Sequence, residues 1–516
     1  MAMTFGSYIE VSAKKYPNRP ALIFEDKTLT YSELNERANR VANALLKRGI
    51  RKGDKVSIYM ENCMEYFETI FAVTKIGAVW IPIGFRLTSQ EMSYIVDNSD
   101  SAALIFSDVL LGNVEAVKKE LTKINADRFI MVGGKAPEDM VDYNELISSG
   151  ESINPGIQVN EEDDFYIAYT AGTTGAPKGA LFDHRTRMTT VLLLCIEYGF
   201  NSEDRHICPG PLYHAAPWAF SFAHLFLGAQ VVLMKHFEAA GVLQLMQKHR
   251  ITTSFMVPTM YNMILNLPAE QRDAFDLSSV RVLVSAASPL PTQTKEGIIK
   301  LYKKAGLHEF YGSTEAAVIS NLRPEDQLRK IRSVGPALYL AEFKILDNNG
   351  EEVPLGAEGT IYMKSPTLLK EYYKNPEATK KAFRGAWFSN LDIGKLDEEG
   401  YLYIMDRKAD MIISGGVNIY PVEIEDLLIK HPKVLEAAVI GVPDEKWGES
   451  LLAVIVPKNG MDVTLEEISS FCEGKIAKFK IPRFVQNVRE LPKSPAGKIL
   501  KRVIREPFWK ESGARV

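Results

Sequence analysis

Hydrophobic and polar positions near the N-terminus follow the repeat of a helix. Thr30 and Glu33 have the spacing of a capping box, in which each side chain binds a free backbone N–H of the first turn. Gly49 stands where a C-terminal cap would fall, since glycine readily takes the left-handed conformation. Between them apolar residues recur at helical intervals, at Leu34, Ala38, Val41 and Leu45. The pattern predicts one helix between Thr30 and Gly49.

Short apolar runs then alternate with helical segments in two successive regions. The first region, residues 55–106, contains the runs KVSIYM, AVWIPI and ALIF. A polar, acidic connection follows over about residues 135–163. The second region contains QVVLM, ITTSFMVP and VRVLVSAA, separated by helix-length segments at 239–249 and 292–304. Because such alternation is typical of parallel strands covered by helices, we expect two similar α/β lobes.

The remainder of the chain has a different pattern. Between residues 340 and 405, the runs EFKILD and GTIYMK and the hairpin-like KLDEEGYLYIM indicate antiparallel strands, with a turn at Glu399-Gly400. From about residue 410, the short runs EAAVIGV, LLAVIVP and FVQNV are accompanied by two helical segments. These are enough for a small α+β domain.

Bulk composition narrows the class of protein. A chain of 516 residues exceeds the size of one hydrophobic core, so roughly two to four domains or subdomains are expected. Apolar residues make up 46% of the chain and charged residues 24%, with a net charge of only -4. Since Lys and Arg are dispersed, composition and charge give no support for a nucleic-acid-binding protein.

Cysteine usage and hydropathy bear on the compartment. The four cysteines lie far apart without metal-ligand spacing, which favours a reducing compartment without disulfides. No apolar stretch of signal-peptide length begins the sequence. The most apolar long window, Ala216 to Met234, is interrupted by Pro217 and Gly228 and is interpreted as core rather than as a membrane span. We therefore expect a cytoplasmic protein without an integral membrane segment.

A loop rich in glycine and threonine follows the run YIAYT. Its sequence, YTAGTTGAPKG at 169–179, offers convergent backbone N–H groups, hydroxyl donors and one mobile ammonium group, which together suit phosphate oxygens. The spacing is not that of a P-loop, because Pro177 precedes Lys178 and Gly179 follows it. A solvent loop of turn-forming residues is the alternative. The candidate phosphate-binding residues are Thr170, Gly172, Thr173, Thr174, Gly175 and Lys178.

This loop resembles the signature loop of the adenylate-forming superfamily, which includes acyl-CoA synthetases, luciferases and peptide-synthetase adenylation domains. Ala171 replaces the family's usual serine and removes one donor. The resemblance implies an α/β fold with a large N-terminal domain of two stacked αβαβα-type lobes and a distorted β-barrel subdomain. A small, mobile α+β C-terminal domain is expected to follow, with the boundary between residues 1–408 and 409–516.

The segment YGSTE at 311–315 resembles a second family motif. By that resemblance Tyr311 packs on adenine beside Gly312, Thr314 contacts the α-phosphate, and Glu315 helps to hold Mg²⁺. The chemistry agrees, because a hard cation offsets the charge of the departing pyrophosphate and a carboxylate is its natural ligand. Without the other motifs, the same residues would be interpreted as a helix cap.

Two further motifs would complete the nucleotide site. In WFSNLDIG, Asp392 aligns with the family aspartate that binds the ribose hydroxyls, and Arg407 aligns with its partner. This stretch departs from the family's common Thr-Gly-Asp, because Asn390 and Leu391 replace Thr-Gly and put a bulky side chain at a glycine position. The segment SAASPL corresponds to a small-residue turn between the acyl pocket and the nucleotide. It contributes Ala286, Ala287 and Ser288 to the predicted nucleotide site.

The segment after Arg407 is similar to the family's inter-domain connection. Ala409 falls at the hinge position, where relatives usually carry a charged residue. Ser414, Gly415 and Gly416 are the candidate CoA-binding residues, because the corresponding family segment lines the pantetheine tunnel. A tight turn is the alternative explanation of the glycine pair.

The segment KSPAGKIL near the C-terminus resembles the family's catalytic-lysine motif. The ammonium group of Lys498 stands on a long stem that can reach both a substrate carboxylate and an α-phosphate. Lys498, Thr170 and Glu315 are therefore the predicted catalytic residues. Without its motif, Lys498 would be interpreted as ordinary surface. Because Lys498 serves adenylation and Gly415-Gly416 serve thiolation, the resemblance implies that the C-terminal domain rotates between two orientations.

The acyl site is predicted around PLYH at 211–214, which resembles a family segment whose histidine borders the substrate. A packed core histidine is the alternative for His214. The predicted acyl-binding residues are His214, Trp218 and Ser285, with apolar lining from Phe220, Phe222 and Met256.

Together the motifs imply an ATP-dependent acid:CoA ligase that forms acyl-AMP and pyrophosphate, then acyl-CoA and AMP. ATP, Mg²⁺ and coenzyme A are the expected cofactors and co-substrates. The expected partner is a small carboxylic acid, either a medium- or long-chain fatty acid or an aromatic or cyclic carboxylate. A homodimer is compatible with the resemblance, and nucleic acid is not an expected partner.

Three other functions stay open. One is an enzyme that passes the acyl group to a carrier protein, although no carrier domain is attached. Another is a luciferase-like oxygenase. The third is a non-catalytic nucleotide or acyl-CoA binding protein, which the presence of Lys498, Glu315 and Asp392 disfavours.

Overall fold

The computed structural model describes residues 3–170, 177–407, 410–414, 417–444, 447–458, 461–476, 478–493 and 499–511. The helices are α1 Phe5–Lys15, α2 Tyr31–Lys47, α3 Met64–Lys75, α4 Ser89–Asn98, α5 Leu111–Val117, α6 Tyr143–Ser149, α7 His184–Glu197, α8 Ala215–Leu227, α9 Ala239–Lys248, α10 Pro258–Leu265, α11 Ala269–Arg272, α12 Thr292–Leu301, α13 Pro376–Ala382, α14 Pro421–Leu428, α15 Leu465–Cys472 and α16 Lys501–Glu511.

The strands are β1 Pro20–Phe24, β2 Lys27–Thr30, β3 Lys55–Tyr59, β4 Val79–Pro82, β5 Ser101–Ser107, β6 Phe129–Val132, β7 Val141–Asp142, β8 Asp164–Thr170, β9 Lys178–Asp183, β10 Arg205–Cys208, β11 Gln230–Leu233, β12 Thr253–Phe255, β13 Val282–Ser285, β14 Gly306–Ser313, β15 Ala317–Leu322, β16 Glu342–Leu346, β17 Gly359–Lys364, β18 Glu371–Tyr372, β19 Phe383–Arg384, β20 Trp387–Phe388, β21 Asp392–Leu396, β22 Leu402–Arg407, β23 Ile412–Ser414, β24 Val417–Ile419, β25 Val434–Asp444, β26 Gly448–Pro457 and β27 Phe484–Asn487.

Two eight-stranded sheets form the larger part of the molecule. The first has the strand order β15-β14-β13-β12-β10-β11-β1-β2, and the second has the order β18-β9-β8-β4-β3-β5-β6-β7. Parallel pairs predominate in both, with antiparallel pairs at β1–β2, β14–β15, β8–β9 and β9–β18. The expected pair of α/β lobes is confirmed. The N-terminal strands β1 and β2 do not belong to the sheet formed by β3–β9. They join the other sheet, which is formed mainly by strands of the second lobe, because β1 pairs with β11.

The main hydrophobic core lies where helices of the two lobes meet between the sheets. Phe5 of α1 stacks on Phe165 of β8 with 4.2 Å between ring centroids, and Phe67 of α3 stacks on Phe222 of α8 at 5.4 Å. The central aromatic side chains of this layer are fully buried. Burial of such large apolar groups supplies the main favourable free energy that holds the lobes together.

Helix α2 agrees with its sequence pattern in detail. Thr30 caps it, and Thr30 and Glu33 form both hydrogen bonds of the capping box. Gly49 follows the end of the helix in the left-handed region, with φ of 81°. The residues that the pattern placed on one helix face, Leu34, Ala38, Val41 and Leu45, are fully buried. The predicted helix is therefore confirmed.

A six-stranded antiparallel sheet follows the two larger sheets. It has the order β19-β20-β17-β21-β22, with β16 paired to β17. The predicted hairpin is formed by β21 and β22, and Gly400 in its turn has φ of 80°. This sheet places residues 387–392 beside the first eight-stranded sheet, as the hydrogen bond between Tyr311 and Asp392 demonstrates.

The smaller C-terminal part contains a five-stranded sheet with the order β24-β23-β26-β25, to which β27 adds in parallel. Three helices accompany it, α14, α15 and α16, where the sequence pattern predicted two. Helix α16 has a weak sequence signal, because KRVIREPFWKE is rich in charge and contains Pro507, a residue unfavourable inside a helix.

The apolar window from Ala216 to Met234 forms the buried helix α8 and the strand β11, as predicted. Within the residue ranges given above, no helix combines the length and the apolar character needed to cross a bilayer. All four cysteines are free thiols.

Candidate active site

A large cavity lies between the two eight-stranded sheets and the six-stranded sheet. Its volume is about 1120 Å³. Its walls come from the ends of β8, β9 and β14, from helices α7, α8, α10 and α13, and from the segment 389–391. The structure brings nine of the predicted site residues to this one surface, namely Thr170, Lys178, His214, Trp218, Ala286, Ala287, Gly312, Thr314 and Glu315.

The other predicted residues either do not line the cavity or lie outside the described part of the chain. Ser285, Ser288, Tyr311, Asp392 and Ser414 are described but do not line the cavity. Arg407 ends β22 and pairs through its backbone with Asp392, but its side chain is not among those described. The residues outside the described ranges are Gly172, Thr173, Thr174, Gly175, Ala409, Gly415, Gly416 and Lys498. Their roles stay predictions.

The Glu315 carboxylate is oriented by two hydroxyl groups. Thr170 Oγ1 donates to Glu315 Oε1 at 3.1 Å, and the Tyr372 hydroxyl donates to the same oxygen at 3.2 Å. The second oxygen, Oε2, receives no hydrogen bond from the part of the chain that the structure describes. Because both donors bind one oxygen, the other stays available to a cation in the cavity.

The segment that carries Glu315 is sterically constrained. A bulge in the pairing of β14 with β15 lies between Tyr311 and Gly312. A Cβ atom on Gly312 would lie 1.8 Å from the carbonyl oxygen of Ala317, so only glycine fits there. The bulge therefore brings Thr314 and Glu315 to the cavity by a backbone path that another residue could not follow.

Tyr372 was not predicted from the sequence. It belongs to the two-residue strand β18, which pairs with β9 so that Tyr372 lies opposite Ala180. Its ring lies 5.5 Å from Lys178 Nζ, in the geometry of a cation–π contact. Burial raises the pKa of the Tyr372 hydroxyl far above its ordinary value, so the group stays protonated and donates to Glu315. One side chain thus contacts both Lys178 and Glu315.

Arg187 is a second residue of the wall that sequence reasoning missed. Its side chain is almost fully buried, and its Nη2 donates to the Thr314 carbonyl oxygen at 2.9 Å. The guanidinium group lies 3.4 Å from the centre of the Phe182 ring. Burial lowers the pKa of Arg187 to about 10, so it remains charged at neutral pH. A cation next to the Thr314-Glu315 segment makes this wall favourable for an anion.

The predicted adenine and ribose residues contact each other. The Tyr311 hydroxyl donates to Asp392 Oδ2 at 2.6 Å. Leu391, just before Asp392, has φ of 65°, and Ala287 on the opposite wall has φ of 79°. The family's common motif has glycine at the position of Leu391, and both residues have the left-handed backbone that glycine takes readily. Leu391 therefore has a backbone conformation that would suit glycine.

The buried end of the cavity is aromatic. Phe220 and Phe255 stack with 5.1 Å between ring centroids, and Phe310 lies 5.9 Å from Phe255. Behind them Tyr198 and Phe200 pack against Phe220 at 5.5 and 6.1 Å. These contacts close the cavity on that side.

Two of the three predicted lining residues were placed wrongly. Phe220 lines the cavity, but Phe222 packs into the core against Phe67 and Phe71. Two residues along a helix rotate by about 200°, so Phe220 and Phe222 cannot share a face. Met256 is fully buried in a separate core with Tyr261.

The C-terminal part also reaches this site. Lys493 lines the cavity, and its backbone pairs with Ile499 across the intervening segment 494–498. Arg332 of the larger part forms an ion pair with Asp426 of α14 at 3.0 Å. In this arrangement Lys493, the first residue of the predicted catalytic-lysine segment, lies at the cavity.

Comparison with known proteins agrees with this geometry. The family model for AMP-binding enzymes matches residues 9–373, and the model for the AMP-binding enzyme C-terminal domain matches residues 423–498. The chain is 35% identical to the long-chain-fatty-acid–CoA ligase FadD13 of Mycobacterium tuberculosis over 94% of each sequence. It is 34% identical to the feruloyl-CoA synthase of an Amycolatopsis species, over 98% of this chain and 99% of that protein.

Solved structures of CoA ligases are similar to this chain over nearly its whole length. The crystal structure of the anthranilate CoA ligase AuaEII in complex with anthranoyl-AMP superposes with a TM-score of 0.92 and 28% identity, over 99% of this chain and 98% of that one. The Bacillus subtilis o-succinylbenzoate CoA synthetase in complex with its acyl-adenylate superposes with a TM-score of 0.85 and 29% identity, over 96% and 97% of the two chains.

The fold and the cavity define an adenylate-forming enzyme, and the chain belongs to the AMP-binding enzyme family. Within it, the chain is an AMP-forming acid–thiol ligase of the acyl-CoA synthetase type, as the sequence motifs predicted.

Proposed function

We propose that this enzyme joins an aromatic or cyclic carboxylic acid to CoA through an acyl-adenylate. The observation that carries the proposal is the closed end of the cavity formed by Phe220, Phe255 and Phe310. A flat ring can stack on these faces, and each aromatic pair contributes about 0.5–1.5 kcal/mol beyond its buried area. Relatives that act on ferulate and on anthranilate support this choice.

A medium- or long-chain fatty acid is the second candidate. Val257, Met260 and Met263 of the same cavity lead away from the aromatic end, and the Met263 side chain is 54% exposed. Flexible methionines adapt to chains of different shape, so an alkyl tail could follow this wall toward solvent. The similarity to a long-chain-fatty-acid–CoA ligase supports this candidate.

The proposed first half-reaction is adenylation. A carboxylate oxygen of the acid attacks the α-phosphorus of ATP, and the bond from that phosphorus to the pyrophosphate oxygen breaks. Lys178 and the hydroxyls of Thr170, Thr173 and Thr174 bind phosphate oxygens, while Lys498 stabilises the charge that develops at the α-phosphate. Asp392 and Arg407 hold the ribose beneath Tyr311. These roles rest on motif identity and on the cavity position of Thr170 and Lys178.

Glu315 is the proposed ligand of Mg²⁺. The cavity fits the ion, because a carboxylate oxygen that accepts no hydrogen bond from the described residues, next to a predicted phosphate site, is the usual protein contribution to a magnesium–nucleotide complex. When bound, Mg²⁺ offsets negative charge on the phosphates as pyrophosphate leaves.

The second proposed half-reaction is thiolation. The CoA thiolate attacks the carbonyl carbon of the acyl-adenylate, and AMP leaves with the electron pair of the broken acyl–phosphate bond. Ser414, Gly415 and Gly416 line the path of pantetheine, and the part from residue 409 onward turns about Ala409 between the half-reactions. Four free thiols support a reducing, cytoplasmic location. A homodimer stays a prediction.

A panel of carboxylic acids, measured with the native enzyme and two matched variants, tests which class of acid is the substrate. Acid-dependent pyrophosphate release is measured with benzoate, cinnamate, octanoate and palmitate, each with and without CoA. We expect kcat/KM for the better aromatic acid to exceed that for palmitate by about tenfold or more. Phe220→Leu should reduce this preference about fivefold, whereas Phe222→Leu, on the other face of α8, should leave it unchanged. A preference for palmitate, or equal effects of the two variants, would contradict an aromatic substrate.

A further inference from the structure

Tyr372 connects two groups that the proposed chemistry uses. Its hydroxyl lies 3.2 Å from Glu315 Oε1, and its ring lies 5.5 Å from Lys178 Nζ. Lys178 opens β9 of one eight-stranded sheet, whereas Glu315 follows β14 of the other. We propose that Tyr372 is a positioning residue that holds the Glu315 carboxylate in the orientation that binds the Mg²⁺ of MgATP. The inference rests on the function proposed for Glu315.

Tyr372 is itself firmly held, as this role requires. Its backbone pairs with Ala180, and its N–H donates to Thr379 Oγ1 of α13 at 2.9 Å. The N-terminus of α13 is fixed in turn, because Asn375 accepts a hydrogen bond from the Ala378 N–H. The Tyr372 side chain is buried. Its phenol ring has only two side-chain torsions, so a fixed backbone and a packed ring determine where the hydroxyl lies.

Glu315 needs such support because its side chain has three rotatable torsions. Two donors, Thr170 and Tyr372, bind the same oxygen and thereby fix the plane of the carboxylate. Thr170 belongs to the start of the phosphate-binding loop, so its position is expected to depend on the bound nucleotide, whereas Tyr372 is held by β9 and α13. Removal of a hydrogen bond that orients a metal ligand typically costs about 10–100-fold in metal affinity.

The direct test measures how strongly Mg²⁺ increases ATP affinity. The dissociation constant of ATP is determined by calorimetry with Mg²⁺ and with chelator, and their ratio is the metal enhancement. Tyr372→Phe retains the ring over Lys178 and removes only the hydroxyl. We expect the metal enhancement to fall about tenfold, while the metal-free dissociation constant changes less than about twofold. The electron paramagnetic resonance spectrum of Mn²⁺ bound with ATP should also change in this variant.

Tyr373→Phe is the matched control. The Tyr373 hydroxyl likewise donates to a carboxylate, Asp100 Oδ2, at 3.0 Å, but Tyr373 does not line the cavity. Its loss should leave both the metal enhancement and the Mn²⁺ spectrum unchanged. Equal metal enhancement in Tyr372→Phe and the native enzyme would overturn the inference. This outcome includes a loss of ATP affinity by the same factor with and without metal, which leaves the ratio unchanged and would indicate a structural role.

Glu315→Gln separates this inference from the function on which it rests. If Glu315 binds the metal, Glu315→Gln lowers the enhancement, and adding Tyr372→Phe to it causes no further loss, because Tyr372 acts through Glu315. Native enhancement in Glu315→Gln would refute the metal role of Glu315. A lowered enhancement in Glu315→Gln with an independent, additive loss from Tyr372→Phe would refute only the positioning role.

Discussion

Leu391 occupies a backbone conformation that disfavours its side chain. Its φ is 65°, and the residue is 52% exposed where it lines the cavity. The free energy gained by burying the side chain is therefore too small to offset the backbone strain. A left-handed conformation costs a non-glycine residue roughly 1–2 kcal/mol. The sequence motif predicted a glycine position here, and the positive φ agrees with that prediction, but the sequence alone could not reveal the backbone conformation of Leu391.

Leu391→Gly is therefore expected to raise the unfolding free energy of the larger domain by about 0.5–1 kcal/mol, since relief of strain exceeds the added flexibility of the unfolded chain. Calorimetric unfolding measures this change. Leu355→Gly is the control, because Leu355 is 67% exposed and does not have a positive φ. The control should lose stability. Equal destabilisation by both substitutions would show that Leu391 is not strained.

The roles of Tyr372 and Arg187 in the site could not be predicted from the sequence, because both residues act through contacts with distant parts of the chain. Arg187 contacts the Thr314 carbonyl oxygen, 127 positions away, and Tyr372 contacts Glu315, 57 positions away. Neither belongs to a motif whose chemistry is evident locally. Glu315 and Lys178, by contrast, could be selected from the sequence because a carboxylate and a loop lysine are chemically suited to Mg²⁺ and phosphate.

The elements that the sequence predicted best have strong local signals. Helix α2 has a capping box at one end, a glycine at the other and an apolar face between them. Strand β18 has only two residues and no alternation, so its pairing with β9 could not be predicted. Sheet order likewise depends on contacts between distant segments, as in the pairing of β1 with β11.

Helix α4 supports both ends of the glycine-rich loop. The Tyr169 hydroxyl, at the start of the loop, donates to Asn98 Oδ1 at 2.7 Å, and the Tyr94 hydroxyl donates to the carbonyl oxygen of Pro177, near the end of the loop, at 3.3 Å. Tyr94 and Asn98 belong to α4. Because the loop is proposed to bind phosphate, movement of its ends should weaken ATP binding more than it weakens binding of the carboxylic acid.

Asn98→Ala is expected to raise KM for ATP about threefold to tenfold with little change in KM for the acid, since a lost buried hydrogen bond costs about 1 kcal/mol. Steady-state kinetics with each substrate varied in turn measure both constants. Asn113→Ala is the control, because Asn113 also binds a tyrosine hydroxyl, that of Tyr59, at 2.9 Å, but belongs to α5 rather than to the helix that contacts the loop. Equal increases in both KM values would argue against a specific support.

The ion pair between Arg332 and Asp426 joins the two parts of the molecule in the described arrangement. The two charged groups lie 3.0 Å apart, and Asp426 is partly buried. Burial raises the pKa of Asp426, and Arg332 opposes that shift by favouring its charged form. The same arrangement places Lys493, which begins the predicted catalytic-lysine segment, at the cavity, and we propose that it is the orientation used for adenylation. Rotation of the C-terminal part would separate the pair.

Arg332→Ala should therefore slow adenylation about threefold to tenfold and leave thiolation of supplied acyl-adenylate unchanged, because only one orientation loses a favourable contact. Stopped-flow measurement of each half-reaction resolves the two rates. Arg329→Ala serves as the control, since its partners Asp326 and Glu399 belong to the larger part. Equal slowing of both half-reactions in Arg332→Ala would contradict an orientation-specific role.

The most direct test of the whole account is to measure both half-reactions in Lys498→Ala. Adenylation is followed as acid-dependent pyrophosphate release without CoA, and thiolation as acyl-CoA formation from supplied acyl-adenylate. The account predicts that adenylation falls by about 10²–10³-fold, because a charge-stabilising group is lost, while thiolation stays within severalfold of the native rate. Full adenylation with lost thiolation would contradict the assignment of Lys498 and the proposed division of the two half-reactions between orientations.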